Sequence, residues 1–172
     1  MEITKESSRP LDLGIITPEA LLSHWQGHRK LTRQVIQAFP EEQLHTYSIG
    51  GMRTFFELAK EIMGLSGTGI RGIVTGNWDF LPEEDYRPGK STIKTKEELL
   101  RVWDKVTNDI NTFWWQIPAE RFKETIKSFG QWEGETTNII LYWIDNEIHH
   151  RGQGYVYLRS LGIEPPPFWN RY

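Results

Sequence analysis

The chain contains no cysteine. It therefore brings no thiol nucleophile of its own, cannot build a thiolate metal site, and carries no sign of an oxidising compartment. No stretch approaches the roughly 20 apolar residues of a membrane span. The opening MEITKESSRPLDLG is polar and acidic where a secretory leader is basic and then apolar. The expectation is a cytoplasmic protein that does not engage a membrane. A basic cluster is missing too. Lys and Arg total 20 against 23 Asp and Glu, a net charge of −3, so nothing is placed to neutralise a row of phosphates and no nucleic-acid partner is expected. Internal repeats and low-complexity segments are also absent.

What the chain has in quantity is aromatic carbon: 13% of its 172 residues, including 8 Trp, enough for a heavy core or a subunit contact. That length suits one domain, residues 1–172, able to bury a core without cross-links. Four long helical patterns account for most of it. The first begins at TPEALL, where Thr17 can cap and Pro18 fits the first helical position; Leu21, Trp25, Thr32, Val35 and Phe39 mark one face before Pro40. The second, from about Arg53 to Thr75, sets Phe55, Leu58, Ile62, Leu65, Gly69 and Ile73 on a stripe. Its glycines at 64, 67, 69 and 72 imply close packing or a kink. A loop, NWDFLPEEDYRPGK, precedes a third helix that opens on a Thr95 to Glu98 capping box and runs through Leu99, Val102, Val106 and Ile110 to Ile117. ETIKSFGQWEGET then alternates around a glycine, as a short hairpin or extended excursion does. The fourth helix spans about Thr137 to Leu161. These patterns predict an all-α fold, a four-helix bundle.

Polar residues interrupt the buried stripes. Ile139, Trp143, Asn146, His150, Gln153 and Tyr157 share one face of the fourth helix, and Asn146 and His150 are four apart, the spacing by which a helix presents two ligands to one ion. Glu61 lies at the edge of the second helix's apolar stripe with no cation four positions away, so its partner must come from elsewhere. Each has a bland reading: a core histidine, an amide that fixes register, a carboxylate reaching solvent. His24 and His28 form another i, i+4 pair, read as structural or exposed. His45 falls in the loop after Pro40, and His149 can pair with Asp145. Glu147 and Arg151 read as a surface ion pair, and Gly152 and Gly154 as places where another helix or a second subunit comes close.

HHRGQGYVYLRSLGIEPP resembles the closing motif of the DinB-like superfamily, a His-x-x-His-His-Arg-Gly-Gln run followed by Leu-Arg-x-Leu-Gly-Ile. LLSHWQGHRKLTRQVIQAFPEEQL and MRTFFELAKEIMG are weaker matches, so the similarity covers most of the chain. The resemblance implies an up-down-down-up four-helix bundle, a homodimer, and a divalent metal held by three histidines. Carried over by position, those histidines correspond here to Glu61, Asn146 and His150, so two of the three are replaced. Carboxylate and amide oxygens suit harder ions, which moves preference from nickel or zinc toward manganese, iron or magnesium.

Two functions of different class follow. One is a metal-dependent transferase, in the manner of relatives that transfer low-molecular-weight thiols, or a hydrolase. It would act on a small-molecule substrate, with Glu61, Asn146 and His150 as ligands and Arg151 or Gln153 near the entrance. The other is a metal-free, catalytically silent bundle, acting in binding or dimerisation, in which Glu61 pairs with a protonated His150.

Overall fold

The structure, a computed structural model, describes residues 16–171; the polar N-terminal stretch read above lies, but for its neighbours from Ile16 on, outside them. Its helices are α1 (Pro18–Ala38), α2 (Glu41–Thr46), α3 (Phe55–Thr75), α4 (Lys96–Trp114) and α5 (Thr136–Ser160), with a short 3-10 turn at Ala119–Lys123 and a hairpin of β1 (Thr125–Ser128) and β2 (Trp132–Glu135) ahead of α5. The four long helices form a bundle in which α3 packs on α4 and α5, and α1 closes the ring against the same two. Among the described residues no helix is long and apolar enough to cross a membrane.

The helix starts follow local chemistry. Thr17 accepts from the Ala20 amide with Pro18 at the first position, and Thr95 and Glu98 form the expected capping box. Thr54 and Glu57 form a second box that opens α3, so this helix begins just after Arg53. The periodic stripes are the core: Trp25, Val35, Phe55, Ile62, Val102, Val106 and Tyr157 are all within 1% of full burial. The hairpin is antiparallel, Ser128 opposite Trp132, and turns through Phe129 and Gly130, both at positive φ.

Three expectations need correction. Pro40 does not open a loop but caps α2, so His45 lies on a helix, where its ring approaches the Glu41 carboxylate; six residues are too few to show periodicity. The third helix stops at Trp114, short of Ile117. Gly154 is indeed tight, because a Cβ there would overlap the Phe55 ring, but among the described residues nothing beyond its chain neighbours and its own helix backbone lies within 4 Å of a Cβ at Gly152. The glycines of α3 pack closely without breaking the helix. At Gly64 a Cβ would overlap the carbonyl oxygen of Glu84 in the loop from Gly76 to Thr95, which seats that loop against α3.

Candidate functional site

Glu61 projects from the second turn of α3, and Asn146 and His150 from successive turns of α5. The two helices pack together, and the three side chains meet: Glu61 Oε1 accepts from Asn146 Nδ2 at 3.2 Å and stands 3.2 Å from His150 Nε2. The Glu61 and His150 side chains are 15% and 9% exposed, so the centre is largely withdrawn from solvent. The partner that Glu61 lacked within its own helix is thus supplied by α5. A second partner had no expectation attached. Arg53, in the segment ahead of α3, donates to Glu61 Oε2, and eight residues of separation across a helix start hide this pair from any periodic reading.

The electrostatics favour the charged carboxylate. Burial opposes ionisation of Glu61, but the hydrogen bonds from His150, Arg53 and Asn146, with the positive charge of Arg53, outweigh it and hold the carboxyl down to about 2. The proton on His150 can be assigned from its other neighbour. Gln153 Nε2 donates to Met52 Sδ, which turns Gln153 Oε1 toward His150 Nδ1 at 2.7 Å, so Nδ1 carries a hydrogen. Nε2 then holds either a second hydrogen, donated to Glu61, or a lone pair directed at a carboxylate. Gln153 acts here by orienting the imidazole.

A metal ion fits this donor set on three counts. Two donors each about 2.1 Å from one ion stand about 3 Å apart when roughly at right angles, which matches the separation of Glu61 Oε1 and His150 Nε2. The Nδ1 hydrogen bond leaves Nε2 free to coordinate, the usual arrangement around a ligating imidazole. And Asn146 Oδ1 is buried with no hydrogen-bond partner; a half-turn of the amide would bring this orphaned oxygen to the centre in place of Nδ2. Among the described residues no three His, Cys, Asp or Glu side chains are grouped to hold a metal, because the third member here is an amide.

A cavity of about 430 Å³ has Glu61 in its wall, together with Tyr86, Phe129, Trp132, Tyr142 and Trp143. A larger one, about 690 Å³, shares Tyr86, Phe129 and Trp132 with it but does not include Glu61, so we associate the smaller cavity with the centre.

The remaining polar residues of α5 turn elsewhere. Arg151 is not at a site entrance, and Glu147 and Arg151 are not a surface pair: both are buried and face α1. Glu147 accepts from Thr32 Oγ1 at 2.6 Å and pairs with Arg29 Nη1 at 3.6 Å, while Arg151 donates to Thr32 Oγ1 at 3.2 Å and to His28 Nδ1 at 2.9 Å. Burial lowers Arg29 to about 10 against the opposing pull of Glu147, and its guanidinium lies 3.5 Å from the centre of the Trp103 ring. His28 is 2% exposed, with His24 Nε2 at 3.1 Å and Arg171 Nη1 at 3.2 Å from its Nε2. Burial, then the charges of Arg151, His24 and Arg171, push it down to about 3, so it is a neutral structural acceptor. His149 and Asp145 are both exposed, and no hydrogen bond joins them.

With this geometry in hand, comparisons with known proteins can be weighed. The sequence profile of the DinB family matches residues 11–171. A DinB-like protein from Bacillus subtilis superposes with a TM-score of 0.67 at 19% identity, over 86% of this chain and 96% of that one. A DinB-like protein from Bacillus cereus does so with a TM-score of 0.67 at 20% identity, over 87% and 95%. At such identity the likeness shows the fold alone. No curated protein matches the chain.

Proposed function

The chain belongs to the DinB family, and from that premise we propose that Glu61, Asn146 and His150 hold a divalent cation at the head of a small-molecule site. The reaction is a metal-dependent group transfer or hydrolysis. The observation that carries this reading is the meeting of a carboxylate oxygen, an imidazole nitrogen and a side-chain amide at one withdrawn point, with the amide's own oxygen orphaned and a half-turn from joining them. Two oxygens and one nitrogen favour manganese or iron over zinc or nickel. When bound, such an ion supplies Lewis acidity, with positions left open by three protein ligands. The chain's own residues do the rest: Gln153 fixes the imidazole, Arg53 holds the second carboxylate oxygen, and the aromatic cavity beside Glu61 offers apolar surface to a substrate. The absence of cysteine fits a thiol-transfer chemistry in which sulfur arrives with the cosubstrate.

A second reading has its own observation. The 3.2 Å contact of His150 with Glu61 also suits an imidazolium–carboxylate pair, and with Arg53 on the other oxygen the network closes without an ion. This is the metal-free, catalytically silent bundle. The two part on one titration. Chelator-treated protein given manganese at about 100 times its dissociation constant gains about 2.7 kcal/mol, which raises the melting temperature of a chain this size by about 5–10 °C. His150→Ala abolishes the shift. If manganese, zinc and nickel all leave the wild-type melting temperature unchanged, and a Glu61→Gln, His150→Gln double variant folds with near-normal stability, the metal-free reading replaces the first.

A further inference from the structure

The cavity beside Glu61 has walls of one character. Tyr86 from the loop, Phe129 and Trp132 from the hairpin, and Tyr142 and Trp143 from α5 line it, together with two carboxylates, Glu61 and Glu133, and no Lys, Arg or His. Two of these rings are costly to leave in water, for Trp132 is 55% and Tyr142 63% exposed, and both belong to the same cavity. Phe129 sits at φ 51, in the left-handed region that a bulky side chain avoids. Its ring stands edge-on to Trp132 and Trp143, with centroids 5.9 Å and 6.4 Å away, so the strained turn places a fifth ring among the others.

The charges decide what such walls suit. An anion would meet two carboxylates with no cation lining the cavity to offset them. A neutral apolar molecule would fill the space but leave Glu133 without a counter-charge. Arg53 already holds one oxygen of Glu61. Glu133 forms no ion pair among the described residues; its cross-strand partner Lys127 shares its face of the hairpin but is not within ion-pair distance, and it does not line this cavity. A cation carried on carbon is the one chemistry that uses ring faces and carboxylate together.

We propose that this cavity binds an organic cation, a quaternary or protonated ammonium on an apolar body, with the head group held by Trp132, Tyr142 and Glu133 and the other end directed at Glu61. The assignment deepens the reading of that centre as a substrate site and rests on it for the orientation of the ligand; the binding itself requires no metal. Benzyltrimethylammonium, benzyl alcohol and phenylacetate, titrated calorimetrically into chelator-treated protein, test it. The cation is expected to bind at least about tenfold more tightly than the alcohol, about 1.4 kcal/mol or more, and phenylacetate not to bind. Trp132→Ala and Tyr142→Ala, both at exposed positions and checked by circular dichroism for folding, are each expected to weaken the cation by about tenfold, and Glu133→Gln by about threefold. The ammonium titration is run on chelator-treated protein and the metal titration without any ammonium, so a failed metal titration and a failed ammonium titration are separate results. Equal affinity for alcohol and cation overturns the proposal, as does cation binding indifferent to both aromatic substitutions.

Discussion

Glu147 stands three residues before His150 on α5, and its surroundings show what a single carboxylate can cost or contribute. It is fully buried between Thr32 and the Arg29 guanidinium, with Oε2 lacking any hydrogen bond. Removing one partner of a buried pair leaves the other charge uncompensated, which costs about 3–5 kcal/mol, far above the few tenths of an exposed i, i+4 pair. Urea denaturation of Glu147→Ala is expected to show a loss in that range, and a loss under about 1 kcal/mol would contradict the burial described. The sequence alone suggested the exposed alternative because Glu and Arg four apart are usually solvated. The contrary signal was present: Ile140, Ile144, Gly154 and Leu158 share that face, and it buries a second side of α5 against α1. Glu61 was legible for the opposite reason, since no neighbour on its own helix could satisfy it.

At the scale of elements, caps and stripes were readable almost to the residue, because the physics that sets them is local. Thr17, Thr95 and the apolar periodicities of α1, α3 and α4 required no knowledge of the rest of the chain. What tertiary contact decides was not readable. The glycines of α3 and α5 look alike in sequence, yet Gly64 abuts the Glu84 carbonyl and the Tyr86 ring while Gly152 faces open space. Their alanine variants should therefore move stability in opposite directions. Gly152→Ala is expected to stabilise by about 0.5–1 kcal/mol through helix propensity. Gly64→Ala is expected to destabilise by about 1–3 kcal/mol, since the displaced atoms are backbone and overpacking exceeds the propensity gain. Thermal melts of the pair check this; a common sign for both would contradict the close approach of loop and α3.

For the whole molecule, acid stability integrates a buried and a half-buried group with depressed pKa values. His28 ordinarily titrates near 6.5 and in the fold near 3, so between these values the unfolded chain binds the extra proton. Its contribution is complete above about 6.5 and is lost as pH falls toward 3. Glu61, ordinarily near 4.5 and here near 2, adds a loss over the lower window, as pH falls from about 4.5 to 2. His28→Gln, which keeps an acceptor for Arg151, should flatten the decline between pH 6.5 and 3 in denaturant titrations; an unchanged slope would show that His28 is not held neutral. The same scale explains how far the candidate centre could be read. Its three members lie on two long helices with visible periodicity, so their faces could be predicted; that Glu61 meets Asn146 and His150 was what the resemblance to the DinB-like superfamily implied. Arg53 lies outside any helix, and the Tyr86 and Phe129 walls come from a loop and a turn whose placement no repeat encodes.

The proposed function requires a cation shared by Glu61, Asn146 and His150. An anomalous difference map from crystals of the full chain grown with manganese examines that point directly. We expect a peak bonded to Glu61 Oε1 and His150 Nε2, with the Asn146 amide turned to present its oxygen. A map with no peak there, and Asn146 Nδ2 still donating to the carboxylate, would contradict it.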